Sequence, residues 1–452
     1  MTPEYHQRNY WFWLAALASA FVLMLLLALS YLMLSRGLGL FWPADIVQFR
    51  VSQSAESPHD APWVLGEVVS RQQLTAPQLA AAGLTFPAPA TRILVKQGYQ
   101  PSGVPAFAWY WQQQLSDVQR PPEILLVRHQ QLGDLYGWPQ AASEDQLLLQ
   151  LANGQQLRLQ QADILLQLAP NSLSWLQKMR WYAAQWWSFL STEPREANSA
   201  GGILPAITGT LLSVLLMAVV VAPIGIMAGI YLHEYARDSR LVRLVRLSVH
   251  NLAGVPSVVF GVFGLGFFVY VLGGSIDQLF YSERLPQPTF GTPGLIWVSL
   301  TLALLTLPVV IVATEEGLAR IPASLRLGGY ALGATKAEVL RKLILPAARP
   351  AMLTGIILAV SRAAGEVAPL IFVGVVKYAP VLPLSSTAPY IQLDQQIMSL
   401  GFQIYDVGLQ SSNADAAEPR VFAIALVLLA LIGSLNLLAM RLRRYYQRRA
   451  QS

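Results

Sequence analysis

The sequence predicts an α-helical integral membrane protein with six transmembrane helices and a β-rich extracytoplasmic domain inserted between the first and second. Three observations carry this expectation. Of 452 residues, 54% are hydrophobic and 12% are charged, about half the charge of an ordinary soluble domain. Six stretches are apolar over the length, about 20 residues of helix, that a hydrocarbon core about 30 Å thick requires. The charges are sorted among the connecting segments instead of being spread along the chain. A disordered chain is excluded by the same proportions. With no cysteine, disulfides, thiolate metal sites and cysteine nucleophiles are excluded too.

The six stretches are 11–34, 206–232, 252–273, 295–313, 351–376 and 421–440. The first is longer than the apolar region of a secretory signal, about 7–15 residues, and no small-x-small cleavage site follows it. It is expected to remain as an anchor. Pro223, Pro256, Pro308 and Pro369 lie in or near spans, where neighbouring helices must satisfy the carbonyls they free. The 12 Trp and 17 Tyr suit a protein with two membrane interfaces to anchor.

Orientation follows from the short loops. With both termini cytoplasmic, segments 1–10, 233–250, 314–350 and 441–452 carry net charges of 0, +2, +3 and +5. The opposite segments, 37–200, 274–294 and 377–419, carry −2, −1 and −3. This is the positive-inside pattern. Because the basic residues flank spans and do not gather on one soluble face, nucleic acid is not an expected partner. The expected organisation is a cytoplasmic N-terminus and first span over 1–36, an extracytoplasmic domain over 37–200, a five-span permease-sized region over 201–440, and a basic tail over 441–452.

Residues 37–200 are too many for a plain connection, and their pattern alternates. Residues 147–159, centred on Asn153-Gly154, read as a β-hairpin. Further strands are expected at 46–51, 93–96, 107–111 and 124–127. The domain ends in a helix over 172–190 that carries Trp175, Trp181, Tyr182, Trp186, Trp187 and Phe189. It suits either the membrane–water boundary or an aromatic core. Across 237–250, Arg240, Arg243 and Arg246 recur at three-residue steps between apolar positions, which predicts an amphipathic helix on the inner leaflet.

The segment 314–350 is the most informative. Pro322 suits a first helical turn and Gly333 suits a helix end. Thr335 and Glu338 have the spacing of a capping box for a second helix over 336–345, which Pro346 should stop. A net-basic pair of short helices of this kind suits insertion into a groove on a soluble partner.

The residues Gly333-Ala334-Thr335-Lys336 through Leu343-Ile344-Leu345-Pro346 resemble the cytoplasmic loop motif of ABC importer permeases. That motif reads Glu-Ala-Ala, three residues, Gly, nine residues, Ile-x-Leu-Pro. Gly333 takes the Gly place, Leu343 the Ile place, and Leu345-Pro346 the end. Leu327-Gly328-Gly329 stand in the first three places, so the Glu is absent. The runs 251–261, beginning Asn-Leu-Ala-Gly-Val-Pro, and 361–370, Ser-Arg-Ala-Ala-Gly-Glu-Val-Ala-Pro-Leu, resemble the phosphate-import permeases of the PstA type. Thr208 to Thr210 and Gly229-Ile230-Tyr231-Leu232-His233-Glu234-Tyr235 agree with that subgroup. The resemblance implies a type I ABC importer-like permease core in the bacterial inner membrane. It implies a second homologous permease subunit, a cytoplasmic ATP-binding subunit dimer and a periplasmic phosphate-binding protein as partners, in a surround of membrane lipid. ATP would be used by the partner, with no cofactor bound by this chain. It also implies that Gly333, Ala334, Thr335, Glu338, Leu343, Leu345 and Pro346 form the ATPase-coupling loop.

Arg362 is the twelfth of 26 residues in the fifth stretch, and Glu366 lies one turn on. A central Arg costs about 2.5–3.5 kcal/mol on insertion scales and therefore faces protein or water. One reading is a self-neutralised pair that holds helices together. The other is a substrate path, because a guanidinium fork matches an oxyanion bidentately and Glu366 would weaken the site enough for release. Gly225 with Gly229, and Gly261 with Gly264 and Gly266, suit helix packing. No P-loop is present: Gly328 and Gly333 have the spacing, but Ala334 stands where the Lys must be, so no ATPase activity of the chain's own is expected. No cluster has metal-ligand spacing. Other readings remain at this level: a permease for another oxyanion such as molybdate or sulfate, an ion-coupled carrier, or a membrane-anchored envelope protein.

Overall fold

In a bilayer every backbone N–H and C=O must be paired within the protein, so long apolar runs fold as helices. The computed structural model describes residues 4–51, 63–81, 89–101, 105–142, 145–195, 198, 200–379, 381–411 and 414–451. Six helices in it are long and apolar enough to span a membrane, over Tyr10–Gly39, Leu204–Tyr235, Ser257–Phe280, Leu295–Ala319, Lys336–Gly365 and Ala417–Tyr445. The chain divides into a helical unit (Met1–Gly37, Ser188–Ser412, Pro419–Ser452) and a β unit (Leu38–Trp187, Asn413–Glu418).

Helix α1 (Glu4–Gly39) supplies the first span. The β unit follows, with β1 (Ile46–Val51), β2 (Trp63–Leu74), α2 (Ala76–Ala81), β3 (Ala90–Lys96), β4 (Phe107–Trp111), β5 (Leu115–Gln119), β6 (Leu125–His129), β7 (Gly133–Ala142), β8 (Gln146–Gln150), β9 (Gln156–Gln160) and β10 (Ile164–Leu168). They form two five-stranded sheets, ordered β4-β3-β2-β1-β5 and β10-β6-β7-β8-β9. Alternation places Val47, Phe49, Val64, Ile93 and Val95 in one apolar cluster and Val127, Leu135, Leu147, Leu149 and Leu159 in another. The expected hairpin is β8 with β9, in the register Gln150↔Gln156. Its loop is longer than a two-residue turn. Leu151 is drawn into the core beneath it, and Gly154 alone takes positive φ, +80°. The expected aromatic helix is α3 (Trp175–Ser191).

One buried ionic network lies inside the β unit. Asp134 pairs with Lys96, and its Oδ1 accepts from Arg128 Nε at 2.6 Å, with the carboxylate side chain 9% exposed. Burial alone would raise the Asp134 carboxyl, but Lys96 and Arg128 outweigh it and hold the group well below the usual carboxylate range. Glu67 is pushed the other way, upward, chiefly by burial.

The helical unit resumes with a short ribbon, β11 (Pro194–Arg195) with β12 (Ala200–Gly201). Then come α4 (Leu204–Ile230), closed by a π-turn over Tyr231–Tyr235, and α5 (Arg240–Leu252). The expected amphipathic helix is α5, with Ser239 as its N-cap. The third span joins α6 (Ser257–Phe263), a π segment over Gly264–Gly273 and α7 (Gly274–Phe280). Next are α8 (Leu295–Ala319), α9 (Ala323–Ala331), α10 (Lys336–Val339) and α11 (Leu345–Gly365). Two short helices, α12 (Leu370–Val373) and α13 (Leu400–Leu409), precede the last span, α14 (Ala414–Gln451). Gly225 and Gly229 of α4 face Val310 and Thr314 of α8, so close that a Cβ at either would stand 2.7–2.9 Å from those side chains.

Two expectations are corrected. Pro346 does not stop the helix begun at Lys336, because a π-turn over Leu340–Ile344 precedes it and the helix runs on to Gly365. The wider turn supplies the adjustment that proline, lacking an N–H and crowding the carbonyl four residues back, otherwise forbids. The fifth span accordingly lies over Lys336–Gly365 instead of 351–376. It ends where Pro369 would clash with the Gly365 carbonyl and disfavours helix at Ala368.

Asp134→Asn is expected to destabilise the β unit by about 1–3 kcal/mol at neutral pH, since it removes the carboxylate that both Lys96 and Arg128 contact. Because the Asp134 carboxyl is depressed in the folded state, the wild-type advantage is fully present above about pH 4, the ordinary carboxylate range. It fades as the pH falls below that value. Thermal unfolding of the two proteins followed from pH 7 to pH 3 checks both parts.

Candidate coupling loop and charged span end

The loop between α8 and α11 is built by local capping. Pro322 stands at the N-cap of α9 with φ −57° and ψ 136°. At the far end Gly333 adopts φ +77°, with Gly333 N donating to Tyr330 O at 2.9 Å and Ala334 N to Gly329 O at 3.2 Å. These two bonds make a Schellman motif, in which only glycine avoids a Cβ penalty. Thr335 then caps α10. Its Oγ1 accepts from Glu338 N at 3.4 Å while Glu338 Oε2 accepts from Thr335 N at 3.0 Å, closing the capping box.

Packing completes the turn. Gly329 is buried against the second helix, and a Cβ there would meet Val339 Cγ2 at 2.8 Å and Leu343 Cδ1 at 2.9 Å. Val339, Leu340 and Ile344 join Leu318, Ile321, Ala348 and Met352 in one apolar cluster, with Ile226, Ile230, Ala334, Leu343 and Leu345 at its margin. Gly333, Thr335 and Glu338 are exposed, whereas Ala334, Leu343, Leu345 and Pro346 are half-buried. The apolar rim of the loop is formed by Leu327, which stands in the motif's Glu place, and by Tyr330 and Leu332, which the motif does not name. Leu332 is 90% exposed, Leu327 65% and Tyr330 43%.

Ionic contacts tie the loop to the end of α4. Arg326 Nη2 donates to Glu234 Oε1 at 2.7 Å and to Leu318 O at 3.2 Å, and its Nη1 to Ile321 O at 3.3 Å. Lys336 Nζ donates to Glu234 O at 2.6 Å and lies 4.7 Å from the centre of the Tyr235 ring. Arg246 of α5 pairs with Glu315 at 3.2 Å and donates to Leu232 O at 2.7 Å. Sequence reasoning saw Glu234 only as part of the Gly229-to-Tyr235 resemblance. A carboxylate at the end of a span was the signal that could have singled it out.

Arg362 lies in the last turn of α11, and Glu366 is the extended residue that follows its end. Arg362 Nε stands 3.5 Å from Glu366 Oε1, with the side chains 36% and 20% exposed. The guanidinium is therefore at a helix C-terminus, where the helix dipole favours a cation, and it remains accessible. Beside it, Ser361 Oγ donates to Asn436 Oδ1 of α14 at 2.8 Å. Ala359, Ala363 and Ala364 belong to the main apolar cluster of the unit. At that end of the unit Lys377 Nζ pairs with Asp406 Oδ1 at 3.0 Å, and Asn198 Nδ2 donates to Asp406 Oδ2 at 3.1 Å.

Residues 221–452 match the family described as binding-protein-dependent transport system inner membrane component. The chain belongs to that family of multi-pass inner-membrane transport proteins. Among curated proteins, it is 33% identical over 270 residues to "Phosphate transport system permease protein PstA 1" of Mycobacterium tuberculosis (strain CDC 1551 / Oshkosh), covering 58% of this chain and 78% of that protein. It is 39% identical over 184 residues to "Phosphate transport system permease protein PstA" of Yersinia pestis, covering 41% of this chain and 56% of that protein. Among solved structures, an inward-facing conformation of the MetNI methionine ABC transporter matches 58% of this chain and 98% of that chain, at 18% identity and a TM-score of 0.37.

Gly329→Leu is expected to force α9 away from α10, an overpacking cost of about 1–3 kcal/mol. Limited trypsin digestion of the purified protein should then cut at Arg326 and Lys336 about tenfold faster than in wild type.

Proposed function

We propose that this chain is the permease subunit of an ATP-driven importer of inorganic phosphate and forms half of the translocation path. The reading rests on one observation above the others. A preorganised two-helix loop with an exposed apolar rim is carried by a chain whose relatives are phosphate permeases. In this account the chain pairs with a second, homologous permease subunit. The rim at Leu327, Tyr330 and Leu332, with Gly333, Thr335 and Glu338 beside it, enters a groove on a cytoplasmic ATP-binding subunit dimer. ATP is used there, and this chain contributes no ATPase motif and no cofactor. A periplasmic phosphate-binding protein delivers the anion at the opposite face. The positive-inside charge pattern then sets both termini and the 314–350 loop in the cytoplasm.

The transport role asks for positioning and not for bond chemistry. Closing of the ATPase dimer pushes on the loop, and α11, continuous with α10, carries that push to Arg362 at its far end. A half-buried guanidinium with a loosely held carboxylate partner gives phosphate a wet, positive way-station that it can also leave. Surrounding lipid meets the apolar outer faces of the spans.

Two outcomes test this. Gly333→Trp puts a bulky side chain at a positive φ on the exposed rim; it should abolish copurification with the ATPase while membrane insertion remains normal. Arg362→Gln should lower uptake of labelled phosphate by about tenfold or more, the worth of one charge-assisted contact. Uptake at the wild-type rate, with the protein present at wild-type level, would assign Arg362 to helix packing alone.

A further inference from the structure

The α9–α10 loop has two routes to the membrane. One is covalent and runs from both ends, since α9 follows α8 after three residues and α10 runs through its π-turn into α11. The other is the set of contacts on the last turn of α4. Helix C-termini leave their last carbonyls without partners, and here side-chain cations fill two of them: Arg246 at Leu232 O and Lys336 at Glu234 O. Glu234 adds a carboxylate to the same turn, at which Arg326 arrives already anchored on the Leu318 and Ile321 carbonyls. The Glu234 side chain is 12% exposed and Arg326 21%, and His233 Nδ1 lies 3.1 Å from the carboxylate. Ile226 and Ile230 of α4 pack on the apolar cluster beneath the loop. Apolar packing permits sliding, whereas a charge-assisted bond anchored at both ends sets distance and direction.

We infer that Glu234 is a positioning residue, the strut through which the loop drives α4 together with α11. The inference rests on the coupling-loop reading given under Proposed function and deepens it. Without the strut, a push on the loop still reaches α8 and α11 through the chain, but its grip on α4 is left to Lys336 at the Glu234 carbonyl and to apolar packing. ATP would then be hydrolysed without the paired movement that opens the path.

The natural chain lacks cysteine, so introduced cysteines label cleanly. Spin labels at exposed Leu332 on the loop and exposed Tyr231 on the π-turn, in the full chain in nanodiscs, read the strut directly. The expected result is one narrow distance distribution in wild type that broadens in Glu234→Gln and equally in Arg326→Gln. In vesicles containing the whole transporter, Glu234→Gln should lower the phosphate imported per ATP hydrolysed by about tenfold, with the ATPase still copurifying. An unbroadened distribution in both variants overturns the strut. A broadened one with an unchanged phosphate-to-ATP ratio overturns its role in coupling. If wild-type vesicles hydrolyse ATP but take up no phosphate, the substrate reading fails, and the distance arm still decides the strut.

Discussion

Helix α8 is held on both sides by small residues, and the rest of the helical unit is arranged around it. Gly225 and Gly229 of α4 lie against Val310 and Thr314, and Gly355 of α11 lies against Ala313. Between helices in lipid there is little hydrophobic drive, so close backbone approach and dispersion supply the attraction. Any side chain at those glycines would push the helices apart. Because α8 is the most buried of the six spans, α4 and α11 both take their positions from it. The loop end and the charged end of α11 are placed by the same contacts.

That arrangement explains where the polar groups sit. Three hydroxyls within α8 return to their own helix: Ser299, Thr306 and Thr314 each donate to the carbonyl four residues back. Charged groups gather at span ends, where helix termini need partners. Arg246, Arg326 and Lys336 meet at one end of α4, and Arg362 closes the end of α11. The same economy operates at Asp277, whose carboxylate accepts from Phe290 N at 2.9 Å and Gly291 N at 2.6 Å and so fixes the segment leading into α8.

Local chemistry was legible along the chain wherever a residue type meets a need of its own neighbours. The capping box at Thr335 and Glu338, the helix end at Gly333 and the amphipathic α5 depend on contacts within a few residues, and each formed as the sequence predicts. Strands β1 and β4 are short runs rich in apolar, β-branched and aromatic residues and were readable as such. Strand β2 contains Gly66 and β7 contains Gly137 and Pro139; those glycines are required because neighbouring strands press on them, at Lys96 and Gln150. Such pressure comes from residues distant in sequence and leaves no local mark. The two prolines show the same limit. Pro346 and Pro369 look alike in sequence, yet only the second ends a helix, because a π-turn relieves the first.

Six apolar spans, a sorted charge pattern, a β-rich insertion and the two short helices of the 314–350 loop are written in the chain itself. Hydropathy, net charge and capping are properties of single residues and near neighbours, and they survive without a fold. That Glu234 receives Arg326, that Leu327, Tyr330 and Leu332 form the open rim of the loop, and that Arg362 sits at a helix end emerge with the folded chain. Those facts depend on which helix faces which. That is set by the packing of α4 and α11 on α8, and no stretch of the chain carries that packing alone.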